Sequence, residues 1–465
     1  MKNNAVVIVR HENADYSDAY RMVEEALYLA GYDKEHYGSP EWNPLGWLIK
    51  PGNKVLLKPN MVTHANSEGG TECLYTQAQV VRPVIDYALK ALAGNGSIII
   101  GDAPVQECDF KKFAESSGYG EMTASYSGRT GGVSVALKDL RGVYSCVKHG
   151  AHYYVNNPES SGINIDLGTQ SAFSDIDASR MSRLRVTNYD PAILKSCHGK
   201  DKHVYSIARD VIEADVIISL PKPKTHRKAG LTIALKNSIG MAYRKECLPH
   251  HTNGSPAHGG DQYANSSVLA WTENILSDMV NVINQRWRMH IIAWPFVQCR
   301  RVLNRLLRIF CKNKTRDGSW KGNDTICRSI ADINRCILYG DIHGKLQRSK
   351  QRKYLVIADM IISGEHNGPL SPEPKRNGII ALGENPVSFD MVISTLMGIK
   401  PEYFRTLKYA TAPEDYRLIE TADKEPVIIS NDSRYDCRTL ETLNDDAILF
   451  FKPSDEWAGA FRNRE

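Results

Sequence analysis

Residues 214–240 read ADVIISLPKPKTHRKAGLTIALKNSIG. The apolar run at 216–220 is typical of a strand that is buried on both faces of a parallel sheet, and the prolines after it keep the chain extended. Six basic side chains follow within residues 222–236, and residues 216–240 contain no acidic residue. We therefore predict that this loop and the helix after it bind an anionic ligand; the alternative is a solvated basic loop.

Strand and helix patterns alternate through most of the chain. Apolar runs predict strands at 5–10, 53–62, 96–105, 354–370 and 377–386. Helical spacing predicts helices at 16–31, 76–94 and 388–398. This alternation predicts an α/β fold with a mostly parallel sheet flanked by helices, together with a loop-rich insertion and a basic helical insertion.

Changes in composition divide the 465 residues into five expected parts. They are an N-terminal α/β part (1–105), a loop-rich insertion or lid (106–205), an α/β core with the basic loop (206–280), a basic amphipathic helical insertion (281–350) and a C-terminal α/β part (351–465).

Composition and charge indicate a cytoplasmic protein. The formal net charge is +5, which is too small to argue for nucleic acid. The first residues turn polar too early for a secretory signal, and no stretch reaches the roughly 18 apolar residues of a membrane span. The ten cysteines are scattered and contain no CxxC pair. We therefore predict reduced thiols, without a thiolate metal site.

Polar side chains follow predicted strands at the point where each strand ends. Lys58 and Asn60 follow one strand, Asp102 follows the next, and Glu365 and Asn367 follow a strand late in the chain. Ligands of open α/β sheets bind at the carboxyl ends of strands. We therefore expect these residues and the basic loop to line one cleft, although each cluster alone is also typical of a solvated loop.

The residue types predict the roles within this cleft. Substrate binding is expected of Lys58, Asn60, Lys222, Lys224, Thr225, Gly230, Thr232, Lys236, Asn237 and Asn367. Catalysis is expected of Asp102, His226 and Glu365. Mg²⁺ or another divalent metal is expected on Asp102, Glu365 and Asp390, since carboxylate oxygens are its usual ligands. Asp102 also suits a turn and Asp390 a helix start, so a structural role is the alternative for both.

Four segments together resemble one protein family. They are LLKPNMV (56–62), GDAP (101–104), PKPKTHRKAGLTIALKNSIG (221–240) and GENPVSFDMVISTLMG (383–398). These segments look like the bacterial and archaeal family called domain of unknown function 362, over about residues 50–105 and 205–400. Many members carry a ferredoxin-like cysteine run, which is absent here, so the resemblance does not imply an iron–sulfur cluster.

Two further resemblances bear on the reaction. LPHHTNGSPAHGGDQY (248–263) and WKGNDTICRSIADINRCILYGD (320–341) look like the branch of that family found with surface-polysaccharide genes. The order His226, Gly230, Lys236, Gly240 on a loop-to-helix segment is similar to that of lactate racemase. The second resemblance implies an isomerase acting next to a carboxylate.

These observations predict an enzyme acting on an anionic, phosphorylated substrate, small or lipid-linked, in cell-surface polysaccharide assembly. Metal-assisted phosphoryl or glycosyl-phosphate transfer is the leading reaction. The alternatives are the isomerase and a non-catalytic ligand-binding protein. The chain has neither a Walker A run nor a GxGxxG after its first strands, so the common nucleotide-binding loops are absent.

A histidine-rich loop follows the basic segment. His250, His251, His258 and Asp261 lie among glycines and prolines, at a spacing that fits no standard zinc pattern. We predict a loop that covers the substrate, with a metal site as the alternative.

Residues 286–316 carry nine Arg or Lys and no acidic residue. Trp287 and Trp294 lie in this segment. An apolar face is predicted from Phe296, Leu303, Leu306, Leu307 and Phe310. This pattern predicts a helix lying on an anionic membrane, such as the inner face of the plasma membrane; the alternative is a helix packed on the protein. Nucleic acid is a less favoured partner, because no recognisable binding module accompanies the basic patch.

Overall fold

The computed structural model describes residues 4–66, 70–310, 317–412, 415–420 and 425–463. Within them, eight strands follow one another across the main sheet, in the order Val427–Ser430, Ala5–Arg10, Ser371–Gly383, Lys353–Asn367, Val216–Leu220, Lys54–Pro59, Ser97–Asp102 and Ser134–Asp139. The two pairs that involve Ser371–Gly383 are antiparallel, and the other five neighbouring pairs are parallel. The predicted mostly parallel sheet is confirmed.

Helices cover both faces of the sheet because its strand residues alternate in direction. Val7 and Val9 pack in one core with helices Ala19–Leu29 and Ala78–Leu92, and Val6 and Ile8 pack in another with Pro386–Met397. The remaining α-helices are Phe110–Ser116, Tyr119–Ala124, Ala178–Ser182, Pro191–Cys197, Arg209–Ile212, Ala234–Asn237, Val268–Asn281, His290–Phe310, Thr325–Tyr339 and Arg405–Thr411.

The strand Val216–Leu220 lies between Lys54–Pro59 and Lys353–Asn367 and is parallel to both. Leu220 is opposite Pro59 in this register, so the two strands end side by side. The chain then forms a short antiparallel pair, Lys224–His226 with Gly230–Thr232, before the helix Ala234–Asn237. The basic segment is therefore a buried hairpin followed by a one-turn helix; the sequence predicted a loop that enters a helix, without the hairpin.

Gly230 allows this hairpin to turn. Its φ of +80° is one that residues with a side chain rarely adopt. A Cβ at this position would lie 2.8 Å from the Trp457 ring, whose Nε1 donates a hydrogen bond to the carbonyl of Arg227 at 2.6 Å. The predicted substrate-binding role of Gly230 is thus replaced by a structural one.

The segment predicted as a loop-rich insertion contains more regular structure than expected. Ser134–Asp139 is the edge strand of the main sheet. The hairpin Val143–Lys148 with Ala151–Asn156, and the strands Gly162–Asp166 and Lys202–Ala208, form two small sheets beside it. These strands are short and lie beside glycine-rich and asparagine-rich turns at 128–132 and 156–162, so the alternation of apolar and polar residues did not predict them.

The segment predicted as a basic helical insertion divides into two parts. Helix His290–Phe310 packs on helix Val268–Asn281, whereas every residue of helix Thr325–Tyr339 is buried. Residues 311–316, including the predicted cation Lys312, lie outside the described residues, as do the side chains of Arg308 and Phe310. No helix in the described ranges is both long enough and apolar enough to cross a bilayer.

Two cysteines depart from the predicted reduced state. Cys197 and Cys247 pair as a disulfide with Cα atoms 5.7 Å apart, so the prediction is wrong for this pair. Fifty residues separate them, and their contact depends on how the strand Lys202–Ala208 returns past helix Pro191–Cys197. The sequence contains no local signal for that contact.

Candidate functional site

A cleft of about 910 Å³ lies at the carboxyl ends of the central strands. Seven of the predicted site residues line it, namely Asn60, Asp102, His226, Thr232, Lys236, Asn237 and Asn367. The side-chain oxygens of Asn60 and Thr232 are buried and have no hydrogen-bond partner among the described residues. They are therefore available to a ligand.

An ion pair forms the floor of the cleft. Lys58 Nζ lies 2.9 Å from Asp102 Oδ1, and both side chains are almost fully buried. Lys58 also donates to Asn237 Oδ1 at 3.1 Å, and Met61 N donates to Asp102 Oδ2 at 2.6 Å. Gly240 covers this pair: a Cβ there would overlap Asp102 Oδ1 and lie 2.8 Å from Lys58 Nζ. Lys58 is therefore held by Asp102 and Asn237 below the cleft and does not line it.

Two predicted substrate ligands, Lys222 and Lys224, lie beneath the cleft and do not face it. Lys222 Nζ is 2.8 Å from Asp359 Oδ2 and donates to Tyr16 Oη at 2.6 Å. Lys224 Nζ donates to the carbonyl of Leu74. Burial, with the charge of Lys222 beside it, holds the pKa of Lys224 well below its ordinary value. Both side chains are fully buried, which corrects the substrate-binding prediction.

Thr225, another predicted substrate ligand, also points away. Its Oγ1 donates to the carbonyl of His366 at 3.1 Å, which fastens the hairpin to strand Lys353–Asn367.

The three predicted metal ligands do not converge. The Asp390 carboxylate accepts the N–H groups of Ala234 at 2.8 Å and Leu235 at 3.2 Å, so it caps the one-turn helix. Burial raises its pKa well above the ordinary value. Glu365 Oε2 accepts from Lys452 N at 2.9 Å and lies 3.2 Å from Lys375 Nζ, away from the cleft.

These positions affect two predictions. The helix N-terminus that was expected to bind the anion is already occupied by Asp390. Across the ranges the structure describes, no group of three or more His, Cys, Asp or Glu side chains is placed to hold a metal ion. Their own contacts correct the predicted catalytic and metal roles of Glu365 and the predicted metal role of Asp390, whereas a divalent metal in the cleft stays a prediction.

Lys236 is the cation that faces the cleft without a partner. Its Nζ makes no hydrogen bond or ion pair with any other described residue, and the side chain lines the cleft beside Lys245. Lys245 Nζ donates to the carbonyls of Ala103 at 2.6 Å and Pro104 at 2.5 Å. Burial, then the charge of Lys245, lowers the pKa of Lys236 to about 7, and burial lowers the pKa of Lys245 to about 8. An anionic ligand would stabilise both charges.

Two histidines in the cleft present opposite hydrogen-bonding groups. His226 Nδ1 accepts the N–H groups of Lys228 at 3.1 Å and Ala229 at 3.2 Å, so the neutral ring carries its proton on Nε2. His250 Nδ1 donates to the carbonyl of Leu248 at 2.7 Å, which leaves Nε2 as an acceptor. Burial holds the pKa of both rings well below the ordinary value, so both are neutral at pH 7.

The histidine-rich loop borders the cleft. His250, His251, Asn253 and Gln262 all line it. Asp261 accepts the N–H groups of Thr252 and Thr325, which ties the loop to helix Thr325–Tyr339. The loop therefore forms part of the cleft wall, and its covering of a substrate stays a prediction.

Sequence reasoning missed several charged residues. Lys228 Nζ lies 2.9 Å from Asp317 Oδ2 on the cleft wall. Although burial alone would raise the pKa of Asp317, Lys228 holds it below the ordinary value. No sequence signal links positions 89 residues apart. A signal did exist for Asp359, since a lone acid in the apolar run 355–362 predicts a buried cation beside it.

The family model described as "Domain of unknown function (DUF362)" matches residues 55–135 and 127–395. The chain belongs to this family. Thylakoid-associated protein sll1697 of Synechocystis sp. is 24% identical over 205 residues, which are 44% of this chain and 42% of that protein. The chain thus matches less than half the length of that relative.

Two solved structures overlap with this DUF362 chain. One, a protein from Thermotoga maritima, covers 84% of this chain and 61% of its own at 11% identity and a TM-score of 0.35. The other, the lactate racemase apoprotein from Thermoanaerobacterium thermosaccharolyticum, covers 83% of this chain and 56% of its own at 9% identity and a TM-score of 0.30. Similarities at this level carry no functional argument.

The segments that carry the DUF362 resemblance divide between cleft and core. Segments 56–62 and 101–104 supply the Lys58–Asp102 pair on the floor, and 221–240 supplies His226 and Lys236. Segment 383–398 supplies Asp390, which caps the one-turn helix. Together they supply the floor of the cleft, His226 and Lys236, whereas the second cleft histidine, His250, lies outside these segments.

Proposed function

We propose that this protein is an enzyme that binds a small anionic substrate and transfers a proton within it. The observation that carries the proposal is the pairing of His226 and His250 in one cleft, one as a donor and the other as an acceptor, beside Lys236. Two neutral histidines with fixed and opposite tautomers distinguish this cleft from a solvated surface loop; His226 is buried and His250 is partly exposed.

The cationic end of the cleft supports the choice of an anion. Lys236 and Lys245 face the cleft, while the Asp102 carboxylate is already paired with Lys58. A carboxylate or phosphate placed beside Lys236 would gain a charge-assisted hydrogen bond. A hydroxyl group of the same ligand could donate to Asn60 Oδ1, and Thr232 Oγ1 could donate to a carbonyl of the ligand.

Isomerisation next to a carboxylate fits these groups. His250 Nε2 takes the proton as the C–H bond breaks, and the electron pair moves onto the carboxylate oxygen. Lys236 in its protonated form and the His226 N–H stabilise that oxygen. The protonated His250 then gives a proton back to carbon as the electron pair returns from the oxygen, which restores both histidines to their neutral forms.

Deuterium exchange would test this reaction. The protein is incubated in D₂O with a panel of 2-hydroxy acids and sugar acids, and exchange at the carbon next to the carboxylate is followed by NMR. We expect exchange with at least one acid, and its loss in His226→Asn and His250→Asn. His343→Asn, on an exposed histidine, is the matched control. Loss in the control, or exchange that survives both cleft variants, contradicts the proposal.

Phosphoryl or glycosyl-phosphate transfer is the second candidate. The size of the cleft favours it, because the cleft extends from Lys236 to Arg185 and Arg300 and can hold more than a small acid. The resemblance of residues 248–263 and 320–341 to the family branch found with surface-polysaccharide genes supports cell-surface polysaccharide assembly as the setting of such a reaction. Phosphate release from glycosyl phosphates, without exchange in the acid panel, would select this candidate over the isomerase.

A further inference from the structure

The outer face of helix His290–Phe310 carries an exposed apolar stripe. Ile291, Val302 and Ile309 are 79%, 56% and 71% exposed. Pro295 and Leu306 lie between them at helical spacing and are also exposed. Such a continuous exposed stripe indicates a binding surface, because single exposed apolar residues do not align along one face by chance.

This stripe is separate from the face that holds the helix on the protein. Leu303 and Leu307 pack with Tyr263 and Ala270, and Val297 packs with Val280. The sequence had predicted Leu303 and Leu307 on the lipid-facing side. The structure corrects that assignment: the helix is apolar on two sides, and only one of them is used by the fold.

Arginines and tryptophans border the stripe. Arg288, Arg301 and Arg305 are exposed, and the neighbouring Trp287 and Trp294 are at least half exposed. No acidic residue occurs between positions 279 and 316. Aromatic rings and cations around an apolar stripe are the composition of helices that lie in the headgroup region of a bilayer.

We propose that this face docks on the surface of an anionic membrane, with the stripe in the headgroup region and Arg288, Arg301 and Arg305 on lipid phosphates. The charge favours lipid over a second copy of the chain, because two copies meeting through this face would bring like charges together. Anionic lipid supplies the negative charge that the segment lacks.

Docking would set the cleft beside the membrane. Arg300, on the inner side of the same helix, lies 2.8 Å from Glu273 of helix Val268–Asn281, and both residues line the cleft. These two helices therefore lie between the cleft and the docking face. An anionic headgroup or a lipid-linked anion could reach the cleft from that side, which extends the proposed function to membrane-held substrates.

Vesicle co-sedimentation tests the docking. The full chain is mixed with phosphatidylcholine vesicles that contain phosphatidylglycerol, and with phosphatidylcholine vesicles alone. Binding is expected to the anionic vesicles and to fall as salt rises. Ile291→Ser/Ile309→Ser and Arg301→Gln/Arg305→Gln should each weaken it by at least about tenfold. Ile342→Ser, on an exposed isoleucine away from the helix, is the matched control and should bind as wild type.

The outcomes separate this proposal from its rivals. A wild-type chain that ignores anionic vesicles at low salt overturns it. A wild-type dimer in size-exclusion chromatography that the stripe variants dissociate, with vesicle binding unchanged, assigns the face to a second copy. Unfolding of the stripe variants would show that these side chains are packed, which also overturns it. Deuterium exchange in solution should be unaffected in both double variants, so failure of the docking and failure of the proposed reaction can be told apart.

Discussion

Lys222 and Lys236 lie fourteen residues apart in the same acid-free stretch, yet they have opposite surroundings. Lys222 is fully buried against Asp359, which comes from a neighbouring strand. Lys236 faces the cleft and has no carboxylate partner in the described ranges. The local sequence therefore shows how many cations a segment carries. Whether a distant carboxylate or a ligand neutralises each cation depends on the tertiary structure.

The largest effect, a loss of stability, is expected when the buried Lys222–Asp359 ion pair is broken. Lys222→Met leaves the Asp359 carboxylate buried without a cation, which should lower the free energy of unfolding by about 3–5 kcal/mol. Denaturant unfolding followed by circular dichroism measures this. The double variant Lys222→Met/Asp359→Leu removes both charges and should recover much of the loss. A single variant as stable as wild type would show that Lys222 is not structural.

A smaller effect, on anion binding alone, is expected at Lys236, which faces the cleft. Lys236→Ala should weaken binding of an anion, tested first with inorganic phosphate and with glycolate, by about 1.5–3 kcal/mol, the range of a charge-assisted hydrogen bond. Calorimetry measures the affinity, and the unfolding free energy should change little. If Lys236→Ala unfolds the protein and Lys222→Met does not, Lys236 is the structural lysine, which contradicts the assignment made here.

The pH dependence of binding should reveal Lys236 directly. Its pKa is lowered to about 7 by burial, and the protonated form is the one that holds an anion. Affinity should therefore be highest below pH 7 and fall as pH rises, approaching about tenfold per pH unit. Lys236→Arg keeps its charge throughout and should remove this first decline. The decline that remains should be centred near the pKa of Lys245, about 8.

The smallest effect is expected at the rim of the same segment. Arg227 is exposed, and its guanidinium lies 3.5 Å from Glu456. Exposed ion pairs contribute little, so Arg227→Gln should change both stability and anion affinity by less than about 0.5 kcal/mol. Titration of this variant beside Lys236→Ala would show whether an exposed, ion-paired cation of the cleft contributes as much to binding as the unpaired Lys236.

The sequence predicted the sheet well because its signals are local. Apolar runs ending in polar turns located Ala5–Arg10, Lys54–Pro59, Ser97–Asp102 and Val216–Leu220 to within a few residues. Short edge strands such as Ser134–Asp139 were missed, since half-buried strands beside glycine-rich turns have weak periodicity.

The site was predicted only in part, for a physical reason. Strand ends placed Asn60, Asp102 and Lys236 in one region, as the sheet topology requires. Which side chain faces the cleft depends on partners from elsewhere in the chain. Asp359 pairs with Lys222, and Asp390 accepts the amide groups of the one-turn helix. The sequence had predicted a ligand as the partner of both groups.

Gly240 packs directly on the Lys58–Asp102 ion pair, so these three positions, which are distant in sequence, depend on one another sterically. Any side chain there would overlap Asp102 and crowd Lys58, so the ion pair and the glycine depend on each other. Across relatives, positions 58, 102 and 240 should therefore change together or not at all. An aligned sequence with alanine at 240 and an intact lysine–aspartate pair would need a shifted backbone, and its cleft would have a different floor.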